Sequence, residues 1–497
     1  MTGAWHTRTR TKGASRLAKP ADQYVKQITS PTEDYSQWYV DVVLKAELAD
    51  YGPVKGTMVI RPAGYAIWER IQAGLDRRFK ESGHENAMFP LLIPESFMQR
   101  EAEHVEGFAP EVAWVTQGGG DHLSERLAIR PTSETVICSM YAKWIQSYRD
   151  LPMLLNQWVN VVRWEKATRP FLRTTEFLWQ EGHTAHATEA EAHEEALRML
   201  ETYRDFLERE MAIPVLVGRK SAREKFAGAV ATYTCEALMG DGRALQAATS
   251  HELGTHFSEA FDIRFLDRDG VEKPVWQTSW GSSTRMIGAL IMVHGDARGL
   301  VVPPRLAPVQ VIIVPIAPGK EGEAVRTRVR QLKASLEGMY RVRVDDREEY
   351  TPGWKFNEWE MRGVPLRLEL GPRDLKAGQA VLVRRDNGEK VAVAQERLPH
   401  TIGELLGHMQ DDLLARARER LRENTRTVAT LAELSAAIAE RRGLFVAGWC
   451  GSDACEERVK SDTGATLRLL PFEGEVPPRC LVCDMRSQHR AVFGRAY

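Results

Sequence analysis

The chain has 497 residues, 43% of them hydrophobic and 27% charged, and its 67 lysines and arginines balance 68 aspartates and glutamates to a net charge of −1. This composition is ordinary for a soluble globular protein of about three domains. The balanced charge neither predicts nor excludes a nucleic-acid partner, because a basic face would have to be local. No apolar run approaches the roughly 18 residues that span a bilayer, so we expect no membrane segment.

The first 21 residues carry five basic residues and no acid, namely Arg8, Arg10, Lys12, Arg16 and Lys19. They lack the apolar stretch of a secretory signal, which excludes that kind of leader. Their composition leaves an organelle transit peptide open as an alternative, but a disordered basic tail at 1–21 is the favoured interpretation. We therefore expect a cytoplasmic protein.

Two strand-like runs come next. FPLLIP at 89–94 is typical of a buried strand with prolines at its edges. LAI at 127–129 predicts a strand that leads into RPTSET at 130–135. If that strand continues, Thr132 and Glu134 lie on one face, where they could bind an ammonium or imino group. A helix cap is the competing interpretation of the same residues.

The segment VVRWEKATRPFLRTTEFLWQEGHTAH at 161–186 predicts a hairpin that binds a nucleoside triphosphate. Alternation places Arg163 and Glu165 on the same face of its first strand. The arginine can hold a phosphate with two hydrogen bonds, and the carboxylate can accept from an amino group or a water. The connecting loop contains Arg169 and Arg173. Phe177, on the returning strand, could stack on a flat base.

A helix is predicted directly after this hairpin. Thr188 and Glu191 form a capping box, and apolar residues then recur at helical spacing from Ala196 to Leu207. This pattern indicates a helix that packs against a sheet.

The segment QAATSHELGTH at 246–256 superficially resembles a zinc-protease helix. His251 and His256, however, are five residues apart, which would rotate them about 140° from each other on a helix. Gly254 also weakens a helix at this point. The sequence therefore argues against a protease.

Four blocks are predicted: the tail at 1–21, a large domain at 22–303, an α/β domain at 309–405 and a C-terminal domain at 406–497. The proline cluster at 301–308 is interpreted as a linker, because prolines break helices and sheet pairing. The continuous apolar run at 309–316 predicts a strand buried on both faces. Asp386-Asn387-Gly388 predicts the turn of a hairpin near the end of the α/β block.

Four cysteines near the C-terminus have C-x4-C and C-x2-C spacing, namely Cys450, Cys455, Cys480 and Cys483. Two close pairs separated by a loop are typical of tetrahedral zinc coordination. Two disulfides or unliganded thiols are the alternatives, and zinc is favoured for a cytoplasmic chain. Since thiolates would fill all four positions, the zinc would be structural.

The hairpin at 161–186 resembles the second signature motif of class II aminoacyl-tRNA synthetases. Its segment TEFLWQEGHTAH is similar in sequence to the prolyl-tRNA synthetases in particular. FPLLIP resembles the first motif, with Pro90 as the motif proline, and GSSTRMIGALIMVHGDARGLVVPPR at 281–305 resembles the third, with Arg285 at its core. The resemblance implies an α+β catalytic domain built on an antiparallel sheet. It also implies a homodimer, because the first motif forms the dimer interface in this class.

The implied enzyme joins proline to ATP, giving prolyl-adenylate and pyrophosphate, and then transfers prolyl to tRNA(Pro). Arg163 is the implied catalytic contact to the α-phosphate and the substrate carboxylate, and Arg285 with Mg²⁺ holds the leaving phosphates. The other implied proline-binding residues are Thr132 and Glu134, which hold the secondary amine, and Trp179, His183 and His251. The other implied ATP-binding residues are Glu165 near adenine, Phe177 stacked on it, and Arg173, Thr174, Glu176, Gln246, Thr249 and Ser283 around them.

The block at 309–405 resembles the class IIa anticodon-binding domain, most recognisably in TPGWKFNEWE and LELGPRDLK. Four polar residues are candidates for reading the anticodon, whose guanines suit arginine and acidic partners: Glu358, Arg367, Arg373 and Lys376. A C-terminal zinc module is found in archaeal- and eukaryotic-type prolyl-tRNA synthetases. In that family the final tyrosine reaches toward the active site, and this chain ends in Tyr497.

Bacterial-type prolyl enzymes insert an editing domain between the second and third motifs. Only about 100 residues separate Gln180 from Gly281, which leaves no room for one. We therefore expect slow misactivation of alanine or cysteine without clearance of the mischarged tRNA. The alternatives are a sister class IIa enzyme (threonyl, glycyl or histidyl) and a non-catalytic tRNA-binding paralogue. Such a paralogue should have lost Arg163 or Arg285.

Overall fold

The computed structural model describes residues 27–104, 112–316, 322–440 and 442–497. The basic segment at 1–21, for which a disordered tail is expected, lies outside these residues. Within the described ranges, no helix is both long and apolar enough to cross a membrane.

The first part of the chain alternates helices with short and long strands. Its helices are α1 (Tyr35–Lys45), α2 (Pro62–Glu81), α3 (Glu95–His104), α4 (Glu134–Trp144), α5 (Glu189–Arg209), α6 (His256–Phe261) and α7 (Arg285–His294). Its strands are β1 (Ala49–Tyr51), β2 (Met58–Ile60), β3 (Glu85–Asn86), β4 (Leu92–Pro94), β5 (Trp114–Gly118), β6 (Asp121–Ile129), β7 (Met153–Val162), β8 (Glu176–His186), β9 (Val215–Arg219), β10 (Ala231–Leu238), β11 (Ala244–Gly254), β12 (Arg264–Leu266), β13 (Glu272–Pro274) and β14 (Trp276–Ser283).

Seven of these strands form one sheet in the order β9-β10-β11-β14-β8-β7-β3, and β6 pairs with β4 and β5 in a separate three-stranded sheet. All neighbours from β9 to β7 are antiparallel, and only β3 joins in parallel. The expected α+β catalytic domain on an antiparallel sheet is therefore confirmed. Because a sheet of this kind presents alternate residues to its two faces, one face can carry polar side chains while the other packs in the core.

The core lies between the sheet and α5, which begins and packs as the sequence predicts. Thr188 caps the helix through its hydroxyl, and the Glu191 carboxylate accepts from the Thr188 backbone N–H, so the capping box is present. The apolar stripe is fully buried from Ala196 to Leu207. The Ser250 hydroxyl of β11 donates to the Ala196 carbonyl at 2.7 Å, which fixes the helix against the strand.

Gly182 in the middle of β8 is required by a close approach of the neighbouring strand. An added Cβ would lie about 2.1 Å from the Trp280 ring of β14. The Trp280 indole is buried and contacts Phe79 and Tyr203, with ring centroids 4.9 and 6.4 Å away. The glycine thus lets the Trp280 indole cross over β8.

Two strand predictions in the first part of the chain are wrong at their ends. β7 ends at Val162, so Arg163 and Glu165 lie in the loop after it and do not share a strand face. β6 likewise ends at Ile129, and Glu134 is the first residue of α4. In both places the chain leaves the sheet at the edge of a cavity, where side-chain direction is set by loop and helix geometry.

The second part of the chain is a five-stranded sheet flanked by helices. Its elements are β15 (Val311–Pro315), α8 (Gly322–Leu336), β16 (Val342–Val344), α9 (Pro352–Met361), β17 (Leu366–Leu370), α10 (Pro372–Lys376), β18 (Gln379–Arg384), β19 (Lys390–Ala394) and α11 (Leu398–Glu423). The strand order is β16-β15-β17-β18-β19, and every residue of β15 is buried, as its apolar run predicts. The predicted hairpin turn at 386–388 connects β18 to β19, with Gly388 at φ +77°.

The segment at 301–308 has no helix or strand, but it is packed into the molecule. Val302, Leu306 and Ala307 are buried in the main hydrophobic core of the first part of the chain. α11 crosses the boundary predicted between residues 405 and 406, so the chain passes into the last region within a continuous helix.

The last region is a small α+β module that extends the large sheet. Its elements are β20 (Thr425–Thr427), α12 (Leu431–Glu440), β21 (Leu444–Trp449), α13 (Asp453–Thr463), β22 (Thr466–Pro471) and β23 (His489–Gly494). β22 pairs antiparallel with β9 at Leu470–Arg219 and Pro471–Gly218. The module and the catalytic region thereby share an eleven-stranded sheet within the described residues.

Candidate active site and cysteine cluster

A cavity of about 260 Å³ opens over β8, β11 and β14 and collects most of the residues singled out in the sequence. They come from the strands β8, β11 and β14 and from three further segments: the chain that leads into α4, the loop after β7, and the start of α7. The predicted residues that line the cavity are Thr132, Glu134, Arg163, Phe177, Trp179, His183, Gln246, Thr249, His251, Ser283 and Arg285. The structure therefore gathers residues that are up to about 150 positions apart into one place.

Some lining residues were missed by sequence reasoning. Glu181 lies between Trp179 and His183 on β8, and Ser279 lies on β14, so strand alternation from known neighbours could have found both. Thr232 on β10 pairs directly with His251 in register. Glu224, Lys225 and Phe226 come from the connection between β9 and β10, where the sequence has no periodic signal.

One end of the cavity holds buried acidic groups. The Thr132 hydroxyl donates to the Glu134 carboxylate, and both side chains are buried. Glu181 accepts from the Ser133 hydroxyl and from Gln157 Nε2 at 2.7 Å. Buried carboxylates are costly unless they are paired, so this end is built to receive a cation.

His183 is the partner of Glu181 at this end, with 3.1 Å between Nε2 and the carboxylate. Burial alone would lower the pKa of His183, but the hydrogen bond and negative charge of Glu181, with Glu134 nearby, raise it above its usual value. The same contact holds the pKa of Glu181 below its usual value despite burial. Each partner of this pair therefore stabilises the charged form of the other, and Glu134 is the further carboxylate that lines this end of the cavity.

His251 on β11 is a neutral imidazole. Burial, together with the charge of His183, lowers the pKa of His251 to about 3. Its Nδ1 lies 2.9 Å from the Thr232 hydroxyl, and its ring centroid lies 4.9 Å from that of Phe226. His251 and Phe226 thus form an apolar wall beside the acidic end.

The other end of the cavity is cationic. Arg163 donates from Nε to the Pro131 carbonyl at 3.0 Å, and its guanidinium lies over the rings of Phe177 and Trp179 at 5.7 and 5.2 Å. Arg285, at the start of α7, donates from Nε to the Leu172 carbonyl at 3.1 Å. Burial and the neighbouring arginines, Arg173 first, lower the pKa of Arg285 to about 10, as expected of cations gathered in an anion site.

Four predicted nucleotide contacts do not line the cavity. Glu165 pairs with Arg173 at 3.6 Å across the hairpin loop. The Thr174 hydroxyl donates to the Glu176 carbonyl at 2.8 Å, and the Glu176 carboxylate accepts from Asn160 at 2.7 Å. In this structure these side chains stabilise the loop that borders the cavity.

Three residues of the cavity lining carry a buried polar atom with no hydrogen-bond partner among the described residues, namely Trp179 Nε1, Ser279 Oγ and Trp280 Nε1. Buried donors without partners cost free energy, and they are found where a ligand supplies the missing acceptor. Such donors suit a ligand that carries acceptor oxygens.

The four anticodon candidates fall into two groups. Glu358 is buried and pairs with Arg347 and with Arg362, the latter at 2.9 Å. Arg367 is buried between Glu360 and Glu369 at 3.1 and 2.9 Å. These two are engaged in ion pairs inside their domain, whereas Arg373 and Lys376 are exposed on α10.

The four cysteines come together at one end of the C-terminal module. All four sulfurs lie within 4.8 Å of one another, and Cys450 Sγ is 3.7 Å from both Cys455 Sγ and Cys483 Sγ. A tetrahedral site with Zn–S bonds of about 2.3 Å requires sulfurs about 3.8 Å apart. The cluster has the dimensions of a zinc site, and none of the four forms a disulfide.

The C-terminal residue lies next to the hairpin loop. The Tyr497 backbone N–H donates to the Ala244 carbonyl, and its hydroxyl donates to Asp241 at 2.9 Å. The guanidinium groups of Arg169 and Arg243 lie 5.5 and 4.9 Å from the Tyr497 ring. The chain end is thereby fixed between β11 and the loop that carries Arg169.

Comparison with known proteins covers nearly the whole chain. The family model of the class II tRNA synthetase core domain (G, H, P, S and T) matches residues 114–294, the anticodon-binding domain matches 310–405, and the prolyl-tRNA synthetase C-terminal domain matches 431–497. The proline--tRNA ligase of Natranaerobius thermophilus is 59% identical over 97% of this chain and 100% of its own length. Those of Symbiobacterium thermophilum and Rubrobacter xylanophilus are 58% and 60% identical, over 96% and 95% of this chain and 100% and 99% of their own lengths.

Proposed function

Because this chain belongs to the prolyl-tRNA synthetases, its activity is the ATP-dependent ligation of proline to tRNA(Pro), and we propose that the cavity over β8, β11 and β14 is where proline and ATP react. The observation that carries this proposal is the charge arrangement of a single cavity. Buried acids stand at one end and two arginines at the other, which suits an amino acid and a triphosphate held end to end.

The acidic end binds the secondary amine of proline. Glu134 supplies the negative charge, and Thr132, which hydrogen-bonds to it, orients the carboxylate. The ring of proline contacts the wall formed by His251 and Phe226, whose neutral and apolar surfaces suit methylene groups. Trp179 and His183 close the pocket on the β8 side. A buried carboxylate left without a cation is costly. A ligand that does not place its amine against Glu134 therefore binds less well.

The cationic end binds ATP. Arg163 contacts the α-phosphate and the proline carboxylate, which brings the attacking oxygen and the phosphorus together. Phe177 stacks on adenine, and Gln246, Thr249 and Ser283 complete the nucleotide pocket. Glu165, Arg173, Thr174 and Glu176 belong to the loop that borders it, and Arg169 joins this loop to Tyr497.

The reaction needs no nucleophile from the protein. The proline carboxylate attacks the α-phosphorus in line, pyrophosphate leaves, and prolyl-adenylate forms. Arg285 neutralises the charge that grows on the leaving phosphates. Mg²⁺ bound together with ATP would add to the neutralisation of phosphate charge that Arg285 supplies. A ribose hydroxyl of the terminal adenosine of the tRNA then attacks the prolyl carbonyl, the acyl–phosphate bond breaks, and AMP leaves.

The C-terminal cysteines hold a structural zinc ion. The sulfur spacing of 3.7 Å supports this assignment, and four thiolates leave no open coordination position for catalysis. Metal analysis should find one zinc per chain. Cys483→Ser should lose it together with thermal stability, whereas Cys138→Ser should retain it.

The protein acts as a homodimer formed around the first motif. Met88, Leu91 and Leu92 are exposed apolar side chains on one short segment, with Met88 84% exposed, and Trp144 nearby is 43% exposed. Contiguous exposed apolar surface marks protein interfaces. Sedimentation should give twice the chain mass, and Leu92→Glu should shift the protein to the monomer.

The first experiment is amino-acid-dependent ATP–pyrophosphate exchange with all twenty amino acids. Exchange should be strongest with proline and should fall sharply in Glu134→Gln, while Glu194→Gln on the exposed face of α5 leaves it unchanged. Strongest exchange with another amino acid would overturn the pocket assignment. Folded, ATP-binding protein without any exchange, even with tRNA, would overturn the catalytic assignment in favour of a tRNA-binding paralogue.

A further inference from the structure

The segment 220–226 between β9 and β10, here termed the wall segment, connects the cavity to the C-terminal module. Its end lies in the cavity, where Glu224, Lys225 and Phe226 form part of the lining. The Phe226 backbone N–H donates to the Thr232 hydroxyl at 2.9 Å, and that hydroxyl also contacts His251. The position of the wall segment therefore decides the shape of the proline end.

The beginning of the wall segment is held by the first turns of α13. The Ser221 hydroxyl donates to the Glu456 carboxylate at 2.8 Å, and both side chains are buried. Arg223 donates to the Asp453 carbonyl at 3.2 Å and forms an ion pair with Glu457. These contacts join residues that are more than 200 positions apart in the sequence.

A second element of the module fixes the same point from the other side. Lys220 donates from Nζ to the Arg468 carbonyl of β22 and to Glu236 of β10, each at 2.7 Å. The segment thus leaves the sheet between two elements of the C-terminal module, β22 and α13.

Contacts inside the wall segment connect its two ends. The Ser221 hydroxyl accepts from the Glu224 backbone N–H at 3.3 Å, and the Ser221 carbonyl accepts from the Lys225 backbone N–H at 3.1 Å. Ser221 therefore binds α13 through its hydroxyl and also accepts the hydrogen bonds that hold the cavity-lining turn at 224–225. Movement of Ser221 would displace Glu224 and Lys225 directly.

We propose that Ser221 and Arg223 are positioning residues through which α13 of the C-terminal module shapes the proline end of the cavity. Neither side chain lines the cavity, so each acts through Glu224 to Phe226. Loss of either anchor weakens proline binding while ATP binding at the arginine end is retained. This inference rests on the proposed placement of proline and ATP in the cavity. The buried Ser221 hydrogen bond has the larger effect, because the Arg223–Glu457 pair is partly exposed.

The test uses the full-length enzyme in proline-dependent ATP–pyrophosphate exchange, with KM for proline, KM for ATP and kcat measured separately. Ser221→Ala should raise the proline KM roughly fivefold, the effect of one lost hydrogen bond, and leave the ATP KM within about twofold. Arg223→Glu should raise it by a smaller factor, and the double variant Arg223→Glu with Glu457→Arg should restore most of the loss. Arg458→Ala is the matched control, because Arg458 lies on α13 but pairs with Asp462 of the same helix.

Each outcome decides the proposal. An unchanged proline KM in Ser221→Ala and Arg223→Glu would overturn it. Equal increases in both KM values, together with a lower melting temperature and no rescue by the charge swap, would also overturn it and leave a purely structural attachment. Wild-type enzyme without proline-dependent exchange would instead overturn the function proposed above, so the two failures are distinguishable.

Discussion

Arg163 is placed so that most of its donors face the cavity. Among the residues that the structure describes, its side chain makes a single hydrogen bond, from Nε to the Pro131 carbonyl. The aromatic rings of Phe177 and Trp179 support the guanidinium from the β8 side. Burial of the guanidinium, opposed by the nearby carboxylates, lowers the pKa of Arg163. The planar fork can therefore donate to two oxygens at once, which an ammonium cannot do in the same geometry.

Arg163→Lys keeps the charge and tests the geometry. We expect kcat/KM for exchange to fall about 10²- to 10³-fold, the usual cost of removing a donor aimed at developing charge. Circular dichroism and melting temperature should stay near those of the wild type. Arg264→Lys, at an exposed pair with Asp262, is the control and should leave activity unchanged. A loss of less than tenfold in Arg163→Lys would contradict the bidentate role.

Many residues of the site could be predicted from the sequence, because several of them lie in recognisable motifs that follow one another in the expected order along the chain. Thr132, Arg163, Phe177 and Arg285 all lie at the cavity, although their binding roles stay predictions. The wall residue Phe226 could not be found, since it comes from an irregular connection whose position depends on the C-terminal module.

At the scale of elements, the join between β9 and β22 depends on a buried charge cluster. The Glu236 carboxylate is fully buried and accepts from Lys220 at 2.7 Å and from the Arg468 guanidinium at 3.0 Å. Burial would raise the pKa of Glu236, but the two cations lower it below its usual value. The charges compensate one another, so the cluster is stable only while it is complete.

Arg468→Met removes one cation and leaves the rest buried. We expect the free energy of unfolding to fall by roughly 3–5 kcal/mol, the usual cost of breaking a buried charge cluster from one side. Urea denaturation measures it, and limited proteolysis should show earlier cleavage within the C-terminal module. Arg458→Met, which breaks an exposed pair on α13, should leave the free energy of unfolding almost unchanged. Equal stability of the two variants would contradict the assigned importance of the cluster.

Elements with strong local signals were predicted well from the sequence. The α5 capping box, the buried strand β15 and the hairpin turn at 386–388 are confirmed. The ends of β6 and β7 were not predictable, because the local pattern continues while the chain turns into the cavity. The pairing of β22 with β9 was also missed, since long-range pairing has no signature in either strand alone.

At the scale of the whole molecule, the entire stretch of chain between the second and third motifs belongs to the catalytic region. Residues 180–281 form the end of β8, α5, the strands from β9 to β13, α6 and most of β14, and all of them belong to the main sheet or pack near it. No separate domain is present in this stretch, every residue of which the structure describes. A site that hydrolyses mischarged tRNA would have to lie elsewhere.

We therefore expect that the enzyme does not clear mischarged alanine. Alanine lacks ring methylenes worth roughly 1–3 kcal/mol each, so discrimination is appreciable but incomplete. Alanine should support slow exchange, and preformed Ala-tRNA(Pro) should be as stable with the enzyme as in buffer. Pro-tRNA(Pro) in the same assay is the control. Measurable deacylation of Ala-tRNA(Pro) by pure protein would contradict this expectation.

Buried neutral histidines make the stability of the molecule sensitive to acid. Burial lowers the pKa of both His186 and His294 to about 4, and that of His251 to about 3. An unfolded chain binds protons at these side chains below about pH 6.5, whereas the folded chain does not until about pH 4. Their stabilising effect is therefore complete above pH 6.5 and is lost as the pH falls. His183 behaves in the opposite way, because its pKa is raised: its contribution to stability is complete below about pH 6.5 and is lost as the pH rises above that value.

Between pH 6.5 and 4, each such histidine should lower the free energy of unfolding by about 1.4 kcal/mol per pH unit of acidification. Urea denaturation at half-unit steps measures the slope. His294→Gln tests one site, because the glutamine amide can still donate to the Met211 carbonyl that accepts from His294 at 2.9 Å. The variant loses some stability at every pH, but its slope should be shallower by about 1.4 kcal/mol per unit, the contribution of one titrating group. His400→Gln, at an exposed position on α11, is the control. Parallel curves for wild type and His294→Gln would show that His294 takes up its proton in the folded state as readily as in the unfolded chain.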